Sequence, residues 1–300
     1  MKKLLLSVII LTAVGGGLYY YGDAILPDPL KESINDRIDG ALLTATIDAT
    51  EFGGGIVTLV NGEAVFSVGG IQNGFVTLGA PRAVVVKGDD ADVFVLVNIN
   101  GGGSGTFQFL THFAYSGSEG TAHEVEKIML GDRTAVKDIK AEITAPTQYA
   151  VFVSILERKT NEPMSTTPTQ PQVLNVERVA EKFVLKAVIF NSIENPDVVL
   201  LTPLPNQKVA NTFLVQGAAR GPWYFEASFP VTLVADDGII LDQTPAQAQS
   251  DWMTTELVPF MATLVAPSTY HGPATLVIKN DNPSGDPARD KMVEIPVTIK

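Results

Sequence analysis

The stretch that decides the fold is Trp223-Tyr224-Phe225-Glu226-Ala227-Ser228-Phe229-Pro230-Val231-Thr232-Leu233. Its odd positions (Trp223, Phe225, Ala227, Phe229, Val231, Leu233) are apolar. Its even positions (Tyr224, Glu226, Ser228, Pro230, Thr232) are mixed and mostly polar. A period of two sends successive side chains to opposite faces of an extended strand, so one face packs and the other meets water. The pattern returns at the end of the chain, where Val293, Ile295, Val297 and Ile299 alternate with Glu294, Pro296 and Thr298. Proline has no amide hydrogen to give a ladder, so Pro296 predicts an edge or bulged strand. Asp237-Gly238 is a turn signal leading into Ile239–Leu241.

About seven short strands in the last ~100 residues, separated by turn signals, read as an immunoglobulin-like β-sandwich over residues 199–300. The chain has no cysteine, so this sandwich must close without an inter-sheet disulfide. Upstream, Asn195-Pro196-Asp197 and Pro203-Leu204-Pro205-Asn206 predict a lapse in sheet pairing, and residues 191–206 are read as a linker. Period two also dominates residues 41–190. Runs at Leu42–Ile47, Gly55–Val60, Glu63–Val68, Phe75–Leu78, Ala83–Lys87 and Asp92–Ile99 read as strands. So do Thr106–Phe113, Glu124–Leu130, Ile139–Ile143, Tyr149–Leu156 and Phe183–Phe190. Asn61-Gly62 between two such runs is a type I′ hairpin signal. Asn161–Gln172 reads as an irregular loop and Val176–Lys182 as a short helix. Asp28-Pro29 opens a helical pattern in which Leu30, Ile34 and Ile38 recur every four residues, with Gly40 as its stop. Residues 23–40 are thus a stalk or a helix docked on the first domain. The expected fold class is all-β: a β-rich first domain with minor helix, a C-terminal sandwich, and one N-terminal hydrophobic helix.

That last element is the run Leu4–Gly22, which carries no charge and follows Lys2 and Lys3. As a helix it spans roughly 28 Å, close to the hydrocarbon thickness of a bilayer. Two readings stay open for residues 1–22. One is an uncleaved signal anchor, single-pass through residues 4–22, with Tyr19, Tyr20 and Tyr21 at the far interface. The other is a signal peptide, whose removal leaves the body secreted or on the cell surface. Both export the body. The 300-residue chain is 45% hydrophobic and 18% charged, which excludes bulk disorder. Absent cysteine excludes thiolate metal sites and cysteine catalysis. A net charge of −12 without a basic stripe argues against nucleic-acid binding.

Val215-Gln216-Gly217-Ala218-Ala219-Arg220-Gly221-Pro222-Trp223-Tyr224-Phe225-Glu226, continuing to Val231, carries a family resemblance. Asp251-Trp252-Met253-Thr254, Val258-Pro259-Phe260 and Lys279-Asn280-Asp281-Asn282-Pro283-Ser284-Gly285 follow it in order. Together they resemble the immunoglobulin-like domain of bacterial spore germination over residues 201–300. The resemblance implies an extracytoplasmic β-sandwich; it implies neither catalytic residues nor sporulation. The first domain resembles an uncharacterised bacterial envelope domain. The pieces are Asp48-Ala49-Thr50, Val57–Gly62, Gly102–Phe107, Leu130-Gly131-Asp132-Arg133 and Glu162-Pro163-Met164-Ser165.

Four constellations bear on chemistry. Asp89, Asp90 and Asp92 lack the glycine and later bidentate acid of a calcium loop, and read as a solvated turn. Gly101-Gly102-Gly103-Ser104-Gly105 precedes a strand pattern rather than a helix, which fits a hairpin loop and neither a nucleophile elbow nor a phosphate loop. His112, His123 and His271 show no metal-ligand spacing. Arg220, Trp223, Tyr224, Glu226 and Trp252 are the distinctive side chains of the second domain, either a ligand-binding face or a core anchor. No catalytic, metal or cofactor-binding residue is assigned. The expected function is a non-enzymatic, membrane-anchored extracytoplasmic bacterial envelope protein. Its β domains would contact an envelope protein or a cell-wall glycan. The alternative is a cell-wall-modifying hydrolase with a catalytic first domain and a targeting sandwich.

Overall fold

The structure is a computed structural model that describes residues 28–145, 148–158, 162–179 and 182–300. The apolar run Leu4–Gly22, and with it the expected N-terminal hydrophobic helix, lies outside the described residues. Among the described residues no helix is long and apolar enough to cross a membrane. The fold is mainly β. Two compact units are present: one runs up to Val153 and includes Val176–Val184, the other comprises Ser154–Asn175 and Leu185–Lys300.

In chain order the elements begin with helix α1 (Asp28–Leu42), β1 (Thr46–Asp48), β2 (Ile56–Thr58), β3 (Glu63–Val68) and β4 (Ile71–Lys87). Next come β5 (Asp90–Asn100), β6 (Phe107–Ser116), β7 (Thr121–Asp132), β8 (Ala135–Ala145), β9 (Gln148–Glu157), β10 (Gln170–Val179) and β11 (Lys182–Phe190). The chain continues through β12 (Val198–Thr202), β13 (Gln207–Val209), β14 (Thr212–Arg220) and β15 (Ser228–Ala235). It ends with β16 (Ile240–Ala248), β17 (Leu257–Val265), β18 (Gly272–Lys279) and β19 (Met292–Ile299).

The first unit is built on the sheet β2-β1-β7-β6-β5-β4-β3. Its long central strands are antiparallel, with Val93↔Phe113 and Val95↔Thr111 in register between β5 and β6. Ile34, Ile38, Ala41 and Leu42 of α1 join Val93, Val95, Val97 and Phe113 in one buried core. The i, i+4 apolar stripe is therefore a docking face on this unit. The helix runs through Gly40, its expected stop, to Leu42, because the stripe continues at Ala41 and Leu42. Asn61 and Gly62 take φ of 53° and 82°, and Val60 and Glu63 exchange two backbone hydrogen bonds across them. That is the expected tight hairpin. Phe75–Leu78 and Ala83–Lys87 form one strand, β4, whose register shifts between Leu78 and Arg82 around Pro81.

The second unit is a sandwich. One layer runs β13-β19-β18-β15, and β12, β14 and β17 form the other. Strand β16 follows β15 for most of its length and pairs with β17 only at Gln247 and Ala248, linking the layers. Phe229 of β15 and Phe260 of β17 meet edge to face, centroids 5.1 Å apart. Such pairs add about 0.5–1.5 kcal/mol beyond area burial. Inward positions alternate strictly along β15: Phe229, Val231, Leu233 and Ala235 are buried. Pro230 and Pro245 face each other across β15 and β16. Neither can donate, so they occupy a pair that exchanges no backbone hydrogen bonds.

Four segments depart from the sequence reading. The alternation at 223–233 becomes a strand only from Ser228, because Glu226 and Ala227 take φ of 50° and 62° and turn the chain. Phe225, expected inward, is 41% exposed. Residues 191–206, read as a linker, contain β12, which pairs with β11 and with β14. The prolines there bend the connections, and the ladder does not lapse between them. Val176–Lys182, read as helix, lies largely in β10. Strand β19 is bounded by the three-residue β13, whose parallel pairing starts one residue after Pro296, at Val297.

Gly217 of β14 tests the close approach of strands within the β12-β14-β17 layer. A Cβ there would meet the Val199 carbonyl and stand 2.8 Å from the Phe260 ring. Gly217→Ala is expected to lower stability by about 1–3 kcal/mol in denaturant unfolding. A neutral effect would show that strands β12, β14 and β17 pack less closely around Gly217 than described.

Candidate functional site

Strand β5 has two buried faces. Val93, Val95 and Val97 point to the α1 side. Asp92, Phe94 and Leu96 point the other way and are also buried. Charged side chains from neighbouring strands converge on this second face. Nε2 of His112 on β6 lies 2.7 Å from Oδ1 of Asp92. The Tyr149 hydroxyl on β9 donates to Oδ2 of Asp92, and Nζ of Lys87 on β4 stands 2.5 Å from the same oxygen. That ammonium also lies 5.1 Å from the centroid of the Tyr149 ring. Nδ1 of His112 faces Oε1 of Glu126 on β7 at 3.9 Å, and Nε of Arg178 on β10 reaches that oxygen at 3.1 Å. Phe94 stacks on the imidazole at 4.9 Å and 19°, and Phe183 lies 6.2 Å away.

The electrostatics follow from these contacts. Burial alone would raise the Asp92 carboxyl, but hydrogen bonds from His112, Lys87 and Tyr149 outweigh it and hold the group far below the usual carboxylate range. Burial alone would lower His112 and Lys87; their contacts with carboxylates outweigh it and raise both. Burial raises the Tyr149 phenol, and the Asp92 charge raises it further. Nδ1 of His112, both Glu126 oxygens and Nε of Arg178 are buried yet make no aligned hydrogen bond. His112 is 1% exposed and Asp92 8%. The histidine–carboxylate contact that a hydrolase would require is therefore present, but it is sealed by packing. Among the described residues no group of three or more His, Asp or Glu side chains could hold a metal.

The other sequence candidates lie elsewhere. His123 is exposed beside Thr121 and Glu119, and Nδ1 of His271 lies 2.7 Å from the Lys300 carbonyl. Asp90 accepts from the Gly117 amide. Asp92, read both as part of a solvated turn and as the first residue of a strand, lies in β5 and is buried on the same face as Phe94 and Leu96. The Gly101–Gly105 hairpin loop is tied by Asn100, whose Nδ2 donates to the carbonyls of Gly103 and Gly105 and whose Oδ1 accepts from the Gly102 amide.

In the second unit the run from Gly217 to Tyr224 works as a staple. Gly221 leaves room for the backbone of Trp252 and Thr254, where a Cβ would stand 2.7 Å from the Trp252 carbonyl oxygen. Arg220 donates to the carbonyls of Pro196 (2.7 Å) and Thr255 (3.0 Å). The Trp223 carbonyl accepts from the Asp281 amide, and the Tyr224 hydroxyl donates to the Val258 carbonyl at 2.6 Å. These are the segments that make up the sequence motif, drawn together around one end of the sandwich. Residues 197–286 match the immunoglobulin-like domain of bacterial spore germination. No curated protein and no solved structure matches the chain.

Within this immunoglobulin-like domain the five candidate side chains do not share one accessible face. Trp223 and Tyr224 are buried, 2% and 4% exposed, against Phe229. Burial drives the Tyr224 phenol well above its ordinary value. Arg220 is engaged with backbone, Trp252 is half-buried, and Glu226 is exposed on its turn. A cavity of about 370 Å³ opens instead beside the Pro230–Pro245 pair, near Gln243 and Asp281, and none of the five lines it. Lys87, Glu126, Tyr149 and Arg178 of the charged layer were not singled out from sequence. The available signal was parity: Asp92 and His112 occupy positions where the alternation calls for apolar residues.

Removing Asp92 leaves His112, Lys87 and Tyr149 without their shared acceptor. Asp92→Ala is expected to cost about 3–5 kcal/mol in chemical denaturation, with Asp92→Asn costing less because it still accepts. Equal and small losses for both would show that the layer contributes little to the fold.

Proposed function

We propose that this protein is a non-enzymatic contact module of the bacterial envelope, anchored by residues 4–22, with both β units outside the membrane. The observation that carries the reading is the immunoglobulin-like match in a chain whose uncharged apolar run, Leu4–Gly22, follows Lys2 and Lys3. The charged layer of the first unit supports it, since its histidine and carboxylates are engaged with one another and sealed from solvent. The partner is an envelope protein or a cell-wall glycan. It is bound by complementarity of exposed sandwich surface or end loops, with no turnover.

Protease added to wall-stripped but intact cells that express the full chain is expected to degrade the body and spare a short membrane-embedded N-terminal fragment. Crosslinking in the same cells is expected to join the body to one envelope protein or wall fragment reproducibly. A body protected until the membrane is broken, or a purified full chain that hydrolyses wall material, would overturn the reading.

A further inference from the structure

The imidazole of His112 has a carboxylate oxygen near each ring nitrogen: Asp92 at 2.7 Å from Nε2 and Glu126 at 3.9 Å from Nδ1. A neutral imidazole carries one ring proton. Either neutral tautomer therefore turns a lone pair toward a carboxylate, in a place almost without water. Only the imidazolium offers both carboxylates an N–H donor. The charged or titratable groups around it are Lys87 of β4, Asp92 of β5, Glu126 of β7, Tyr149 of β9 and Arg178 of β10. Phe94 and Phe183 form apolar walls. With the two acids and two bases ionised, the extra proton takes the cluster from neutral to +1. Arg178 is the group that opposes it.

We propose that His112 is a proton-operated clamp within the first unit. Its protonated ring holds Asp92 and Glu126 where Tyr149 of β9 and Arg178 of β10 engage them, and loss of the proton loosens those two strand segments. The direction of the response is set by linkage. Burial alone would lower the His112 pKa, but contacts with Asp92 and Glu126 raise it above its ordinary value. The stabilisation is therefore complete below the unfolded value of about 6.5 and is lost as pH rises through the folded value. The clamp operates wherever the protein resides, so its test is separate from that of the envelope reading.

Hydrogen exchange of the full-length protein, corrected for intrinsic rates, reads the clamp directly. Protection of residues 148–153 and 176–179 is expected to fall over the interval in which His112 deprotonates, above the ordinary histidine value of about 6.5. The fall is about tenfold for each pH unit by which the folded pKa exceeds that of the opened state. Histidine NMR resonances should place the titration of His112 in the same interval. His112→Gln cannot titrate and should flatten the response. If that variant fails to fold, Glu126→Gln decides, because it should keep the response and move its midpoint to lower pH. Protection that stays constant while His112 titrates would overturn the clamp, as would an undiminished response in His112→Gln or an unmoved midpoint in Glu126→Gln.

Discussion

A strand covered on both faces has nowhere to place a charge except against another charge, and β5 carries Asp92 into that position. Helix α1 takes one face of the sheet, and side chains of β9, β10 and β11 within the same unit take the other. Burying a lone carboxylate is prohibitive. Asp92 persists because a ring nitrogen, an ammonium and a phenol converge on its two oxygens. Each of those groups is itself costly to bury, so the requirement spreads outward through His112 to Glu126 and Arg178. The layer follows from the double burial of one strand.

The second unit meets a different constraint. A sandwich without a disulfide must hold its layers by the packing of their inner faces. Within the layer of β12, β14 and β17, Gly217 lets the Val199 carbonyl and the Phe260 ring come nearer than a Cβ allows, and Gly221 does the same for the carbonyls of Trp252 and Thr254. Phe229 ties the layers through Phe260 and packs against Trp223 and Tyr224. Buried Tyr224 keeps its hydroxyl bonded to the Val258 carbonyl, while the indole N–H of Trp223 is buried without a partner. The motif that marks the family is thus a set of packing devices, which explains why its distinctive aromatics are inside.

Much of this was legible beforehand because period-two patterning is local. Glu63–Val68 was read with the strand's own bounds, and Asn61-Gly62 announced its turn, since glycine and asparagine tolerate positive φ. The failures have a common cause. Val176–Lys182 looks helical by residue type, yet Val176–Val179 is strand because neighbouring strands supply a ladder. The prolines of 191–206 look like an interruption, yet β12 fits between them. Phe225 follows the apolar parity, yet Glu226 and Ala227 adopt positive φ despite carrying side chains. In each case pairing or packing from distant residues outweighs a local preference of a kcal/mol or less.

The amino-acid order alone determined that this chain is mainly β, that it closes without disulfides, and that its last hundred residues resemble a known immunoglobulin-like sandwich. Alternation, turn chemistry and composition act over a few residues and need no partner to be read. Which charges would meet was decided only by the tertiary structure. Lys87, Asp92, His112, Glu126, Tyr149 and Arg178 are spread over 92 residues and six strands. Strand order and register bring them to one buried face, and electrostatic energy depends on that distance and dielectric, neither of which sequence separation encodes.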